Sequence, residues 1–173
     1  MIKLVSFLLL AFLLSLSKYG FAAQENEYNN NALHAVINNF SAAIVAKDKG
    51  KFLELFVEKK VSWVGILSEN TYELLISKNP GFSKQSRAKF ESPTKFITDI
   101  IKSPHVMRET FSNIVITHDS NVAAVTFDYE MYQNDFKKNW GQESWLLTKI
   151  DDEWKIHAVN FSLTLNPEVF KQQ

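Results

Sequence analysis

Residues 121–164 read NVAAVTFDYEMYQNDFKKNWGQESWLLTKIDDEWKIHAVNFSLT, and they contain three strand-like runs, at 122–133, 138–150 and 154–164. In the first run every second residue is apolar, which is the spacing of a β-strand and not that of a helix. These apolar residues are Ala123, Val125, Phe127, Tyr129 and Met131. The acidic break after residue 150 is so short that the second and third runs are predicted to form an antiparallel hairpin. The stretch therefore predicts a curved antiparallel sheet, which has to bury at least one face.

The residues upstream of this sheet supply helices that could cover it. Apolar residues recur at helical spacing from residue 31 onward, and Gly50 ends the pattern. Ser92 and Pro93 are typical of a helix start, with a capping hydroxyl followed by a proline whose missing N–H is not needed there. We predict helices at 31–50, 51–57, 68–78 and 92–103, and two further strands at 61–67 and 107–118. Helices followed by sequential strands indicate an α+β fold.

The first 22 residues are predicted to be a signal peptide. Lys3 precedes a near-continuous apolar run at 4–16, and small residues follow it. Cleavage after Ala22 places small side chains, those of Gly20 and Ala22, at the two positions that require them, whereas cleavage after Ala23 does not. The apolar run is shorter than the roughly 20 residues of a stable membrane anchor, so an uncleaved anchor is the less favoured alternative. The protein is therefore predicted to be exported, to the periplasm or the medium, with no membrane attachment after cleavage.

The remainder of the chain is predicted to be a flexible segment at 23–30 followed by one domain at 31–173. Lys and Arg together number 19, as do Asp and Glu, and this balance argues against a nucleic-acid partner, whose binding requires phosphate neutralisation. There is no cysteine, which excludes disulfides and thiolate metal sites. The four histidines lack metal-ligand spacing, so neither a metal nor another cofactor is predicted.

The segments WGQESW at 140–145 and DDEWKI at 151–156, together with the order of elements, resemble the NTF2-like (SnoaL-like, nuclear transport factor 2) superfamily. Its members often end in a hairpin with an acidic turn, then Gly-Trp-Lys-Ile, then a short run ending in serine. This chain has Glu153 where the glycine is usual, and Asn160 where many relatives carry a histidine before Ser162. The resemblance implies a cone, in which N-terminal helices pack on the concave face of the sheet and leave a cavity at its wide end. The superfamily includes isomerases, dehydratases, ligand carriers and assembly domains, so the resemblance implies a fold and not one activity.

The register of the last hairpin decides which face of the sheet lines that cavity. A three-residue loop at 151–153 would pair Ile150 with Trp154, and the same register pairs Leu146 with Ala158. A loop of two or four residues would exchange the two faces. The three-residue loop predicts a polar patch of Gln142, Ser144, Asn160 and Ser162 at the mouth of a ligand pocket. Trp63 and Trp140 are further candidates for the pocket, where they could stack on a flat ligand.

The opposite face of this hairpin is largely apolar and would need a second cover. We therefore predict a homodimer through the residues Trp145, Leu147, Val159 and Phe161.

Two carboxylates alternate with the apolar residues of the first run. Asp128 and Glu130 face away from Phe127, Tyr129 and Met131, either onto a solvated face, which is the commoner case, or into a cavity. In an apolar cavity the pKa of such a carboxylate would rise and the group could act as a general base. The first hypothesis is an exported, non-catalytic domain that binds a small, partly apolar ligand in the cone or acts in assembly as a homodimer. The alternative is an enzyme of the ketosteroid-isomerase or dehydratase kind, with Asp128 as base and Tyr129 or Trp140 orienting the substrate.

Overall fold

The described residues form four α-helices and six β-strands. The computed structural model describes the backbone of residues 2–82 and 88–171, and the side chains of that range from residue 24 onward. In chain order the elements are α1 (Ile2–Ala46), α2 (Lys49–Glu54), β1 (Ser62–Leu67), α3 (Glu69–Lys78), β2 (Ala88–Phe90), α4 (Pro93–Lys102), β3 (Met107–His118), β4 (Val122–Gln133), β5 (Phe136–Ile150), β6 (Glu153–Leu165) and a 3₁₀ turn (Pro167–Lys171). Within the described part of the chain, no helix combines the length and the apolar character needed to cross a membrane.

The six strands form one open, curved sheet in the order β2-β1-β6-β5-β4-β3. β1 and β6 run parallel, and every other neighbouring pair runs antiparallel. The predicted α+β cone is confirmed, although the sheet is mixed. The edge strand β2 lies at positions where neither a helix nor a strand was predicted, and it is held by pairing with β1, for example between Val64 and Phe90.

Helices α1, α2 and α4 cover the concave face of the sheet, and aromatic rings fill the space between them. The ring of Phe40 on α1 lies 4.8 Å from that of Phe52 and 4.7 Å from that of Trp145 on β5. On α4 the predicted cap is present, since Ser92 Oγ accepts a hydrogen bond from the Lys95 N–H at 3.1 Å. This start directs Phe96 into the same aromatic cluster, 5.5 Å from Phe52 between ring centres.

Helix α1 continues through residues 23–30, where the sequence predicted a flexible segment. Asn29 is only 1% exposed, and its Oδ1 accepts a hydrogen bond from Lys149 Nζ at 3.3 Å. An amide side chain that bonds to the sheet ties this part of the helix to the fold, and the polar composition of the segment did not reveal it.

The hairpin of β5 and β6 differs from prediction near its turn. Asp151 and Asp152 have φ angles of 49° and 63°, so they form a two-residue turn that needs positive φ at both positions. Ile150 therefore pairs with Glu153, and the predicted pairing with Trp154 is wrong. Further from the turn, a register shift after residue 146 restores the predicted pair of Leu146 with Ala158, and the same register pairs Ser144 with Asn160.

The same hairpin shows that the predicted faces have to be exchanged. Trp145, Leu147 and Val159 are fully buried against the helices, and Leu146 on the other face is 48% exposed. The apolar set of β4 lies on this buried side, since Val125 pairs with Trp145. The concave face is thus the one that the sequence assigned to a dimer interface, because the more apolar face is the one that the helices bury.

Candidate functional site

A cavity of about 340 Å³ opens between α4 and the concave face, at the end of the sheet away from the Asp151–Asp152 turn. Its described lining comes from α1, α4 and all strands except β2: Phe40, Trp63, Glu91, Phe96, Asp99, Ile100, Ser103, Met107, Glu109, Tyr129, Met131, Gln133, Lys138, Asn139, Glu143, Phe161 and Leu163. The ring of Trp63 stacks on Phe96 at 5.2 Å and 29°, and the ring of Phe161 meets Tyr129 edge-on at 6.1 Å. The walls are therefore largely aromatic.

A larger groove of about 690 Å³ lies elsewhere, between α1, α2 and the β5–β6 turn. Alanines of α1 form much of its lining, and ion pairs at the surface engage several of its charged residues. Lys155 Nζ, for instance, contacts Glu153 Oε2 at 2.6 Å and the Glu54 carbonyl at 2.8 Å. The smaller cavity is the better candidate site because buried polar groups converge on it.

Two buried carboxyl groups distinguish the cavity. Glu109 on β3 is 3% exposed and Glu143 on β5 is 4% exposed. Both belong to the concave face, since Glu109 pairs with Met131 and Glu143 pairs with Phe127. One oxygen of Glu143 accepts a hydrogen bond from Trp145 Nε1. Glu109 Oε2 is buried and accepts no hydrogen bond from the described residues, which leaves a polar atom whose burial is uncompensated.

Burial shifts the acid–base properties of this pair. It raises the pKa of Glu143 to about 7, and the hydrogen bond from Trp145 opposes that rise. Burial, and then the charge of Glu143, hold the pKa of Glu109 well above its usual range. The pKa of Tyr129 is also raised, mainly by burial and further by the charges of these two carboxylates. At neutral pH the pair therefore retains a proton that exposed carboxyl groups would have lost, so it can both donate and accept hydrogen bonds.

Tyr129 lies between the two carboxyl groups, and its hydroxyl is fixed by the backbone of β6. Its Oη donates a hydrogen bond to the Ser162 carbonyl at 2.9 Å. This arrangement needs a glycine on β5, because a Cβ at Gly141 would lie 2.0 Å from that carbonyl oxygen. The Gln142 N–H completes the junction by donating to Ser162 Oγ at 3.0 Å.

The structure brings one of the six predicted pocket residues to the cavity, namely Trp63. The other predicted positions belong to the convex face or to strand contacts. Gln142 and Asn160 are exposed, and Ser144 pairs with Asn160 across the strands. The hydroxyl of Ser162 accepts a hydrogen bond from the Gln142 N–H. Trp140 lies outside the cavity, and Lys137 Nζ lies 5.0 Å from the centre of the Trp140 ring.

The predicted catalytic carboxylate also lies on the convex face. Asp128 Oδ2 accepts a hydrogen bond from Asn113 Nδ2 at 2.7 Å, in an exposed setting. Its neighbour Glu130 bonds to Tyr132 and Lys137 on the same face. Asp128 therefore cannot act as a base inside the cavity, and the predicted role loses its geometric basis. Tyr129, named with it, does line the cavity.

The predicted dimer residues are not available for a subunit interface. Trp145, Leu147 and Val159 lie in the core of the monomer, and Phe161 lines the cavity. The homodimer itself stays a prediction, without these residues as its surface.

Sequence reasoning missed both cavity acids, although a signal was present. Glu143 shares the alternation of Trp145 and Leu147, and Glu109 shares that of Met107 and Phe111. An acidic residue in register with a buried apolar set indicates a carboxyl group on the core face. Among the described residues, no group of three or more His, Cys, Asp or Glu side chains could hold a metal ion.

Comparisons with known proteins agree on the fold. No family model and no curated protein matches the sequence. Among solved structures, a candidate scytalone dehydratase from Novosphingobium aromaticivorans superposes with a TM-score of 0.58 at 15% identity, covering 83% of this chain and 89% of that chain. NTF2-like proteins from Silicibacter pomeroyi and Cytophaga hutchinsonii give TM-scores of 0.54 and 0.53, each at 13% identity. They cover 80% and 79% of this chain, respectively, and 98% of each matched chain. The open, curved sheet with helices on its concave face, together with these likenesses, shows that the chain has the NTF2-like fold.

Proposed function

We propose that the protein binds a small, partly apolar molecule in the cavity between α4 and the concave sheet face, and releases it unchanged. The cavity volume of about 340 Å³ is at the lower end of the range of small-molecule sites. Aromatic walls with a few convergent polar groups are the usual composition of such sites. Export of the protein to the periplasm or the medium, as the first 22 residues predict, would make this a binding protein of the cell envelope or its surroundings.

The observation that carries this proposal is the buried oxygen Glu109 Oε2. A buried polar atom without a partner costs free energy, and such atoms are rare in folded proteins unless a ligand or ordered water completes them. Glu109 and Glu143 reach the cavity from two different strands, so a molecule between them could bond to both. A carboxyl group with a purely structural role at the position of Glu109 would be expected to bond to other parts of the protein with both oxygens.

The proposal can be tested by native mass spectrometry of the protein purified from its own host. We expect a retained small molecule as an added mass on the wild-type chain. Leu163→Trp adds volume to the cavity wall and should abolish the added mass. Val115→Trp, at an exposed site on the convex face, is the matched control and should retain it. A ligand that stays bound to the Leu163→Trp variant would contradict binding in this cavity.

A second candidate function is proton transfer on a bound substrate, with Glu143 as general base. It is favoured by the position of this carboxyl group in the cavity and by its pKa of about 7, close to the value that suits a base at neutral pH. One of the similar structures is a candidate scytalone dehydratase, which makes scytalone the first compound to try. Loss of water from scytalone in the wild type, abolished by Glu143→Gln, would support it. No turnover at millimolar scytalone would reject this substrate for the protein.

A further inference from the structure

We propose that the cavity selects a small organic cation, a protonated amine attached to a flat apolar body, over neutral and anionic molecules of the same shape. This inference rests on the proposed binding function and names the class of its ligand. Three features carry it: the charges around the cavity, its aromatic walls, and the unpartnered carboxyl oxygen at its inner surface.

The charges that line the cavity are predominantly acidic. Glu91 lies just before α4 and Asp99 lies on it, and Lys95 Nζ contacts both, at 3.2 Å and 2.7 Å, so this cation offsets one of their two negative charges. Lys138 is the one basic residue in the described lining. Glu109 and Glu143 form no ion pair with any described residue, and a ligand cation would supply the missing partner.

The walls suit the same ligand. The face of an aromatic ring carries partial negative charge and attracts a cation within about 6 Å of its centre, most strongly for tryptophan. Trp63 and Phe96 stack beside the cavity, and Phe161 and Tyr129 close it on the sheet side. Aromatic faces combined with a carboxylate are the chemistry that recognises alkylammonium groups. A carboxylate ligand would instead be repelled by Glu143 once that group is ionised, and the faces of the aromatic rings would not attract it.

Cation binding should release a proton from the carboxyl pair. Glu109 and Glu143 share the cavity with Tyr129 on β4, Lys138 on β5 and Asp99 on α4. A positive charge placed between the two carboxyl groups favours their ionised forms and lowers their pKa values. Because protonation of Glu143 competes with the cation, binding should tighten as the pH rises towards neutrality. A neutral hydrogen-bonding ligand would show no such dependence.

Three probes of one shape and different charge test the inference: 2-phenylethylamine, 2-phenylethanol and phenylacetate. Binding to the full chain is measured by isothermal titration calorimetry at pH 5, 6 and 8, in two buffers with different ionisation enthalpies. We expect the amine to bind at least tenfold more tightly than the alcohol at pH 8. Its dissociation constant should rise about tenfold from pH 6 to pH 5, with proton release visible as a difference in apparent enthalpy between the buffers. Glu143→Gln should remove the preference for the amine, and Asp128→Asn, on the convex face, should retain it.

The outcomes separate this inference from the proposed function. Equal binding of amine and alcohol, or tighter binding of phenylacetate, would overturn the cation preference and leave small-molecule binding intact. Failure of all three probes to bind the wild type at millimolar concentration would overturn both. The wild-type results decide the question by themselves, even if the Glu143→Gln chain does not fold.

Discussion

Glu109 and Glu143 flank Tyr129 on the concave face of the sheet, one on β3 and the other on β5, and both carboxyl groups are buried. Two acids enclosed this closely are costly to ionise together, because each loses hydration and each repels the charge of the other. The pair is thus a strained feature of the core, and it makes both stability and ligand binding depend on pH.

The first prediction concerns stability and pH. Both pKa values are raised above the unfolded value of 4.5, so the fold favours the protonated forms. The stability that these two groups contribute to the folded state is fully present below pH 4.5. It is lost as the pH rises through the pKa of the folded state, which is about 7 for Glu143. We expect the free energy of unfolding to fall by on the order of 3 kcal/mol for Glu143 across this interval. Urea denaturation at half-unit steps from pH 4.5 to pH 8 measures it.

Glu143→Gln provides the matched variant for this experiment. Glutamine keeps the shape and the acceptor oxygen for Trp145 but cannot ionise, so the slope between pH 5 and pH 7 should flatten. Exposed acids with a lowered pKa, such as Asp119, are ionised in both states across this range and do not add to the slope. A slope identical to that of the wild type would contradict the assignment of the titration to Glu143.

The second prediction concerns the hydrogen bond from Trp145 to Glu143. This bond lowers the pKa of the carboxyl group against the effect of burial. Trp145→Phe should therefore raise the pKa of Glu143 by roughly one to two units, since a hydrogen bond to a charged group contributes about 1.5–3 kcal/mol. Carbon-13 NMR titration of the glutamate side chains measures the shift. Trp154→Phe is the control, because Trp154 Nε1 has no hydrogen-bond partner among the described residues. Equal shifts in the two variants would contradict the argument.

The elements themselves were largely predictable, because each depends on local sequence. Alternation of apolar residues located β3 to β6 to within a few residues, and the serine cap with Pro93 located the start of α4. The order of these elements, with two motifs at 140–145 and 151–156, was enough to predict the fold class. Strand β2 was not predicted from the sequence, because its three residues acquire their conformation by pairing with β1, which is a tertiary effect.

The site was not predictable from the hairpin alone. Asp151 and Asp152 accept positive φ, which a sequence of two aspartates permits but does not require, and the bulge near Leu146 changes the register again. Aligning the apolar set of β4 with its neighbour strand would have placed Trp145 in the core. Glu143 then follows as an acid on the core face, since residues two apart on a strand share a face.

The third prediction concerns the turn between β5 and β6. Asp152 has a φ of 63°, a conformation that costs most residues roughly 1 kcal/mol and costs glycine almost nothing. Asp152→Gly should therefore raise the free energy of unfolding by up to about 1 kcal/mol, despite the loss of an exposed contact to Lys149 at 3.6 Å. Asp135→Gly is the control, because Asp135 in the β4–β5 turn does not have positive φ. Thermal or urea unfolding compares the two variants. A gain in both, or in Asp135→Gly alone, would contradict this explanation.

The fourth prediction concerns the close approach of β5 and β6 beside Tyr129. A Cβ at Gly141 would lie 2.0 Å from the Ser162 carbonyl oxygen, which belongs to the backbone and cannot swing aside. Gly141→Ala should therefore force the strands apart, weaken the hydrogen bond from Tyr129 at 2.9 Å, and destabilise the fold by about 1–3 kcal/mol.

Gly50→Ala is the control. Its Cβ in α2 would lie 3.4 Å from the nearest atom, Asp48 Oδ1, and alanine favours a helix by roughly 0.5–1 kcal/mol. Because the Tyr129 hydroxyl is held beside the carboxyl pair, Gly141→Ala should also change the titration of Glu143, whereas a loss of stability elsewhere in the sheet would not. Equal stability of the two alanine variants, or an unchanged Glu143 titration in Gly141→Ala, would show that this junction does not position the site.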